Sequence, residues 1–174
     1  MDVTTLLVVI LVIVTALAFD FTNGFHDTAN AMATSVATGA LKPKTAVLAA
    51  GVLNLIGAFL STEVAKTISG GIMNDPSIHI GPEIIFAGLI GAIVWNLLTW
   101  LVGLPSSSSH ALFGGLIGAV IVGAGVNGVN FANVASKVLL PAVISPIVAG
   151  FAAYCAVKLA LFIVRKVSAQ RVET

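Results

Sequence analysis

Within eleven residues the chain reads Asp20-Phe-Thr-Asn-Gly-Phe-His-Asp-Thr-Ala-Asn30, two carboxylates, a histidine and two asparagines directly after an apolar run. Asp27 and Asn30 are three residues apart, so on a helix they share a face. Asn23 and Gly24 suit an irregular or left-handed turn. Carboxylate and amide oxygens converging on an unwound helix end form a site for a hard cation, sodium or its proton equivalent. Asp27 and Asn30 are therefore the candidate cation ligands. Histidine is the side chain that changes charge near physiological pH, so His26 could carry a proton; the plainer alternative is a hydrogen bond to a neighbouring helix.

A second cluster is Pro105-Ser-Ser-Ser-Ser-His-Ala-Leu-Phe-Gly-Gly115. Proline fits the start of a helix, and serine caps the free amides there or stands beside them as a hydroxyl donor. Free N–H groups at the positive end of the helix dipole make an anion site. Several hydroxyls around that end suit a tetrahedral oxyanion better than a planar one. The competing readings are a plain capped helix start and a Ser109-His110 nucleophile and base. Adjacent residues rarely face each other on a helix, and no acid stands nearby to complete a triad, so hydrolysis is disfavoured.

The elements that must position these groups are apolar. Of 174 residues, 58% are hydrophobic and 9% charged, against about 25% charged in an ordinary soluble domain. That excludes a soluble domain and intrinsic disorder, and a formal charge of +1 without basic runs excludes nucleic acid as a partner. The single cysteine, Cys155, forms no intrachain disulfide, and three scattered histidines are a poor metal set. What remains is a multi-pass protein of the lipid bilayer.

Spans of about 20 apolar residues are expected at roughly 4–20, 45–61, 84–101, 106–124 and 139–164. Asp2 is the only early charge, which argues against a cleaved signal peptide. The stretch 23–41 fits no complete span and predicts a broken or re-entrant segment, tolerated only where protein or a watery cavity satisfies its backbone. Lys42 and Lys44, with Arg165, Lys166 and Arg171, place both basic clusters on the cytoplasmic side if the N-terminus lies outside, with Lys137 dissenting. Lys66 sits among Glu63, Asp75 and Glu83 in a net-acidic connection. An odd number of spans would invert any second copy of the unit. Gly88/Ala92, Gly114/Gly118 and Gly115/Ala119 are small residues four apart, which let helices approach closely.

The run Asn23-Gly-Phe-His-Asp-Thr-Ala-Asn-Ala-Met-Ala-Thr-Ser-Val36 resembles the signature of the inorganic phosphate transporter (Pit) family, and Gly103-Leu-Pro-Ser-Ser-Ser-Ser-His-Ala111 resembles its second signature. Trp95-Asn-Leu-Leu-Thr-Trp100 and Ser145-Pro-Ile-Val148 are similar to that family as well. The resemblance implies an all-α bundle, one half of an inverted-repeat transporter in the bacterial inner (plasma) membrane, with no enzymatic activity and no resident cofactor or metal. It implies symport of inorganic phosphate with a proton or sodium, with metal-phosphate as a further form of the cargo. Asp27, Ser107, Ser108 and Ser109 then fall on phosphate positions, and Asn23, Asp27 and Asn30 on coupling-cation positions. His26 stands where many members have asparagine, and with His110 it is the candidate carrier of a coupling proton. Only the N-terminal repeat is matched, so a second half or a second copy is expected. The alternatives are a truncated, non-transporting subunit packed against a longer relative, and another oxyanion, sulfate foremost, as cargo.

Overall fold

A computed structural model describes residues 3–60 and 81–164, so the acidic connection around Lys66 and the cluster Arg165, Lys166 and Arg171 lie outside the described residues. Five long helices follow in order: α1 (Val3–Ala37), α2 (Pro43–Leu60), α3 (Pro82–Leu101), α4 (Ser108–Ala124) and α5 (Leu140–Val164). The chain divides into two compact units, Met1–Asn133 with α1 to α4 and Val134–Thr174 with α5. Among the described residues, Val3–Ala37, Pro82–Leu101 and Phe131–Val164 are long and apolar enough to cross a membrane; α2 and α4 give shorter apolar helices, Pro43–Phe59 and Ser108–Ala124. The 17 residues of α4 rise only about 25 Å, short of the ~30 Å hydrocarbon core.

Helix α1 differs from expectation. In place of a break in 23–41, one α-helix of 35 residues runs through Asn23 and Gly24 to Ala37. Gly24 keeps ordinary helical backbone; positive φ occurs at Gly39, Gly103 and Gly125. The reason is backbone hydrogen bonding. Without water, an unwound turn strands N–H and C=O groups at several kcal/mol each, whereas a continuous helix satisfies them internally. Polar side chains on the helix comply: the Thr15 and Thr22 hydroxyls donate to Leu11 O and Phe19 O, each at 2.8 Å. The helix ends at Gly39, whose φ of +77° only glycine takes at no steric cost, and α2 restarts with Pro43 in its first turn.

Helices α3 and α4 form the tightest pair, and glycine makes it so. A Cβ on Gly115 would strike the Gly88 carbonyl oxygen and lie 3.2 Å from Ala92 N; one on Gly88 would lie 2.7 Å from Leu116 Cδ2. Backbone thus packs on backbone at this crossing. Of the small-residue pairs read in the sequence, Gly88/Ala92 and Gly115 do this work, while Gly114 and Gly118 have open space. Around the crossing lies the core of Phe19 from α1, Leu89 and Ala92 from α3, and Leu112 and Leu116 from α4. Phe25 of α1 packs edge-on against Trp100 of α3, centroids 5.5 Å apart, so this tryptophan locks two helices together.

The link from α3 to α4 is brief. Gly103 (φ +69°) turns the chain out of α3, with Leu104 N bonded to Thr99 O at 2.9 Å and Gly103 N to Trp100 O at 3.1 Å. This is a Schellman ending, with proline following shortly after. Pro105 therefore ends one helix rather than opening the next, and Ser107 is the N-cap of α4. Beyond α4, Asn130 Oδ1 accepts from Asn133 N at 2.9 Å and starts the next turn. In the second unit, a π-turn at Ala135–Leu139 precedes Pro141. Proline has no N–H to give the carbonyl four residues back, and the wider turn relieves its ring. Lys158 lies over the Tyr154 ring at 5.5 Å.

Gly115→Ala is expected to destabilise the fold by about 1–3 kcal/mol, because backbone cannot yield to the methyl as a side chain would. Gly118→Ala meets nothing within 4 Å and keeps alanine's helix advantage of up to ~1 kcal/mol, so it should be neutral or mildly stabilising. Thermal unfolding of both variants in mild detergent checks the contrast.

Candidate functional site

Two elements in the first unit meet end to side. The flank of α1 carries Asn23, Asp27 and Asn30, one face of two helical turns. The start of α4 carries the serines, positioned by the tight α3–α4 crossing and the short link behind it. Where these meet, Ser108 Oγ donates to Asp27 Oδ2 at 2.7 Å and also contacts Asn23 Oδ1. Ser108 is fully buried.

One hydroxyl has one hydrogen. It cannot serve both acceptors, and the carboxylate is the stronger of the two. The consistent arrangement has Ser108 donating to Asp27 and the Asn23 amide turned so that its NH2 donates to Ser108, since amide orientation is set by the hydrogen-bond network. Asn30 Nδ2 donates to the Ser106 carbonyl at 3.3 Å, a second tie between the same two elements.

The other serines point elsewhere. Ser107 Oγ accepts from His110 N at 3.3 Å and lies 2.8 Å from His110 Nδ1. This reciprocal cap engages the hydroxyl, so the pair stabilises the helix start. Ser107 and His110 border a cavity of about 480 Å3 with Trp95 and Ser106. Ser109 borders another, of about 420 Å3, with Asp20 and Asn23. The three candidate hydroxyls thus surround the end of α4 rather than converging on Asp27; Ser108 alone reaches it among them.

His26 is buried, and neither ring nitrogen has a partner among the described residues. It borders a cavity of about 190 Å3 with Asn30, Thr99 and the end of α3. The hydrogen bond to a neighbouring helix expected as its plain role is not made. Asn96 is a residue the sequence reading passed over. It is 1% exposed in the second half of α3, and both its amide atoms lack partners among the described residues. Ser106 Oγ shares that condition. The signal for Asn96 is present in the sequence, a lone amide inside an apolar run.

The arrangement joins opposite preferences. The first-turn amides and positive dipole end of α4 attract an anion. The Asp27 carboxylate, held against that end, attracts a cation.

The pattern of the phosphate transporter family matches residues 23–173. A relative from Mycobacterium bovis, described as a probable low-affinity inorganic phosphate transporter, is 58% identical over 144 residues, covering 83% of this chain and 34% of its own length. Relatives of the same description from Mycobacterium leprae and Bacillus subtilis are 54% and 49% identical, covering 97% and 88% of this chain and 40% and 47% of their own. The chain therefore spans less than half the length of these relatives. Among solved structures, one titled the sodium-dependent phosphate transporter is similar at a TM-score of 0.78 and 30% identity, over 89% of this chain and 39% of the other. The chain belongs to the phosphate transporter family.

Proposed function

We propose that this chain forms part of a cation-coupled symporter of inorganic phosphate in the bacterial inner membrane. The observation that carries the proposal is the contact between Asp27 and Ser108 at the start of α4. Phosphate drawn to that helix end comes close to a carboxylate. At about 4 Å and an effective dielectric near 20, two like unit charges repel by about 4 kcal/mol. A helix dipole returns at most ~2 kcal/mol. The dipole alone loses, so a cation must accompany the anion. That requirement couples the two fluxes and distinguishes symport from an anion channel.

In this reading Asn23, Asp27 and Asn30 bind the coupling cation, and Ser107, Ser108 and Ser109 offer hydroxyls to phosphate. His26 and His110 carry the proton where the coupling ion is a proton. The similar solved structure named as sodium-dependent favours sodium. A metal-phosphate pair would meet the same charge demand with the metal in the cation's place. The rest of the phosphate shell comes from a second repeat half or a second copy, in keeping with the greater length of the relatives.

Labelled-phosphate uptake in cells lacking other importers tests the assignment, with the transporter expressed at equal membrane abundance. Asp27→Asn should lower uptake at least tenfold, and Ser108→Ala by about tenfold, as expected for losing a hydrogen bond to a charged group. Normal uptake by Asp27→Asn would reject this site. Excess sulfate is expected to leave phosphate uptake unchanged; effective competition would make the cargo a broader class of oxyanion.

A further inference from the structure

Ser108 and Asn96 are the most deeply buried polar side chains among the described residues, 0% and 1% exposed, on the two helices that pack most tightly. Ser108 Oγ donates to Asp27 and contacts Asn23, whereas the Asn96 amide has no partner at either atom among the described residues. Their relative height follows from the glycine crossing. A Cβ on Gly115 would lie 3.2 Å from Ala92 N, which sets those two residues roughly level. Helices α3 and α4 run antiparallel across their short link. Asn96 lies four residues beyond Ala92, and Ser108 seven before Gly115. At 1.5 Å per residue they stand about 6 Å and about 10 Å past that level, an offset of about 4–5 Å. Helix α1 runs parallel to α3, with Phe19 in one core with Leu89 and Ala92 and Phe25 packed on Trp100. That register brings the buried Thr22 to the height of Asn96; its hydroxyl donates to Phe19 O and keeps lone pairs to accept with.

We propose that water is bound between Asn96, Thr22 and Ser108, and that Asn96 is thereby a positioning residue for the Asp27 site. The proposal rests on the transport reading of that site for its role, and on the unpaired amide for its chemistry. A buried amide left bare forfeits the hydrogen bonds it makes in water. A cation would serve Oδ1 and leave the NH2 bare; an anion would do the reverse. Water both donates and accepts, so it meets both ends. The span also fits, since two hydrogen bonds of about 2.8 Å in series bridge about 4–5.5 Å. An internal water makes about three hydrogen bonds. One that accepts from Asn96 Nδ2 has a hydrogen for Ser108 Oγ and another for Thr22 Oγ1, while a neighbouring molecule donates to Oδ1.

The consequence falls on Ser108. A serine oxygen has one hydrogen and two lone pairs. With the Asn23 NH2 donating to one lone pair and water to the other, the direction left is that of the O–H bond, which points at Asp27. The bridge therefore fixes a rotor that is otherwise free to turn its hydrogen between the Asp27 carboxylate and the Asn23 carbonyl oxygen. Asn96 touches neither phosphate nor cation in this scheme; it acts through Ser108. That gives a reason for an amide at the third step of the face Gly88, Ala92, Asn96, where the two earlier steps are small and apolar.

Asn96→Leu keeps the branched shape and puts methyl groups in the water's place. Labelled-phosphate uptake by the intact transporter, at equal membrane abundance, should fall about fivefold, the worth of one ordinary hydrogen bond. Asn96→Ser keeps a donor and an acceptor with room for water, and should stay within about twofold of the parent. Asn96→Leu combined with Ser108→Ala should match Ser108→Ala alone to within about twofold, because both act through one hydroxyl. Thermal unfolding of the same variants in mild detergent, without phosphate, reads the bridge apart from transport. There the double variant's shift in melting temperature should be about half the sum of the single shifts or less. Independent effects, multiplying to about fiftyfold in uptake and adding in melting temperature, overturn the proposal. So does a higher melting temperature in Asn96→Leu, the mark of a dry interface relieved of a bare amide. Failure of the transport reading shows instead as normal uptake by Asp27→Asn, with the melting-temperature cycle still deciding the bridge.

Discussion

The contact between the flank of α1 and the first turn of α4 is the interaction on which the rest of this structure depends. A carboxylate inside an apolar helix costs roughly 2.5–3.5 kcal/mol on insertion scales, and more without a partner. Asp27 is accommodated because Ser108 Oγ donates to it at 2.7 Å, at the end of a helix whose dipole favours negative charge. The cost is met locally, yet the supply of donors is not local. It comes from residues more than 80 positions away in sequence, brought to α1 by the packing of α3 and α4.

That packing is in turn a matter of backbone approach. Gly88 and Gly115 let α3 and α4 touch where any side chain would separate them. The Schellman ending at Gly103 and the cap at Ser107 then compress the link between them into a few residues. A wider crossing would move the start of α4 away from α1 and leave Asn23, Asp27 and Asn30 without partners. Glycines remote from any polar group thus govern the site's geometry. His26 and Asn96, without partners among the described residues, are buried on α1 and α3. Such groups carry a desolvation cost that packing alone does not return, and sites that bind and release charge are where that cost is found.

Much of this was legible in the residues. Apolar runs bounded by proline and glycine gave α2 to α5 to within a few positions, because in lipid a backbone has little alternative to the helix, while α1 runs on past its expected end at 20 to Ala37. The serine run declared a helix start, and Ser107 is its cap. Two readings failed for physical reasons. Asn23-Gly24 looked like a break, but glycine only permits a left-handed turn, and nothing there supplied partners for the backbone groups such a turn would free. The serines looked like one cluster, but consecutive residues at a helix start are about 100° apart around the axis, so Ser107, Ser108 and Ser109 face three directions.

The sequence by itself determined the solvent, four of the five long helices, the chemical inventory and, through its two motifs, the family. Those follow from composition and local pattern, which do not depend on what lies across the fold. Only the tertiary structure decided which hydroxyl meets which carboxylate, that His26 stands without a partner among the described residues, and that Asp20 shares a cavity with Asn23 and Ser109. Those depend on the angle and depth at which two helices cross. The small-residue spacing around Gly115 announces a close approach, but which backbone it meets, here that of Gly88 and Ala92, is decided across the fold.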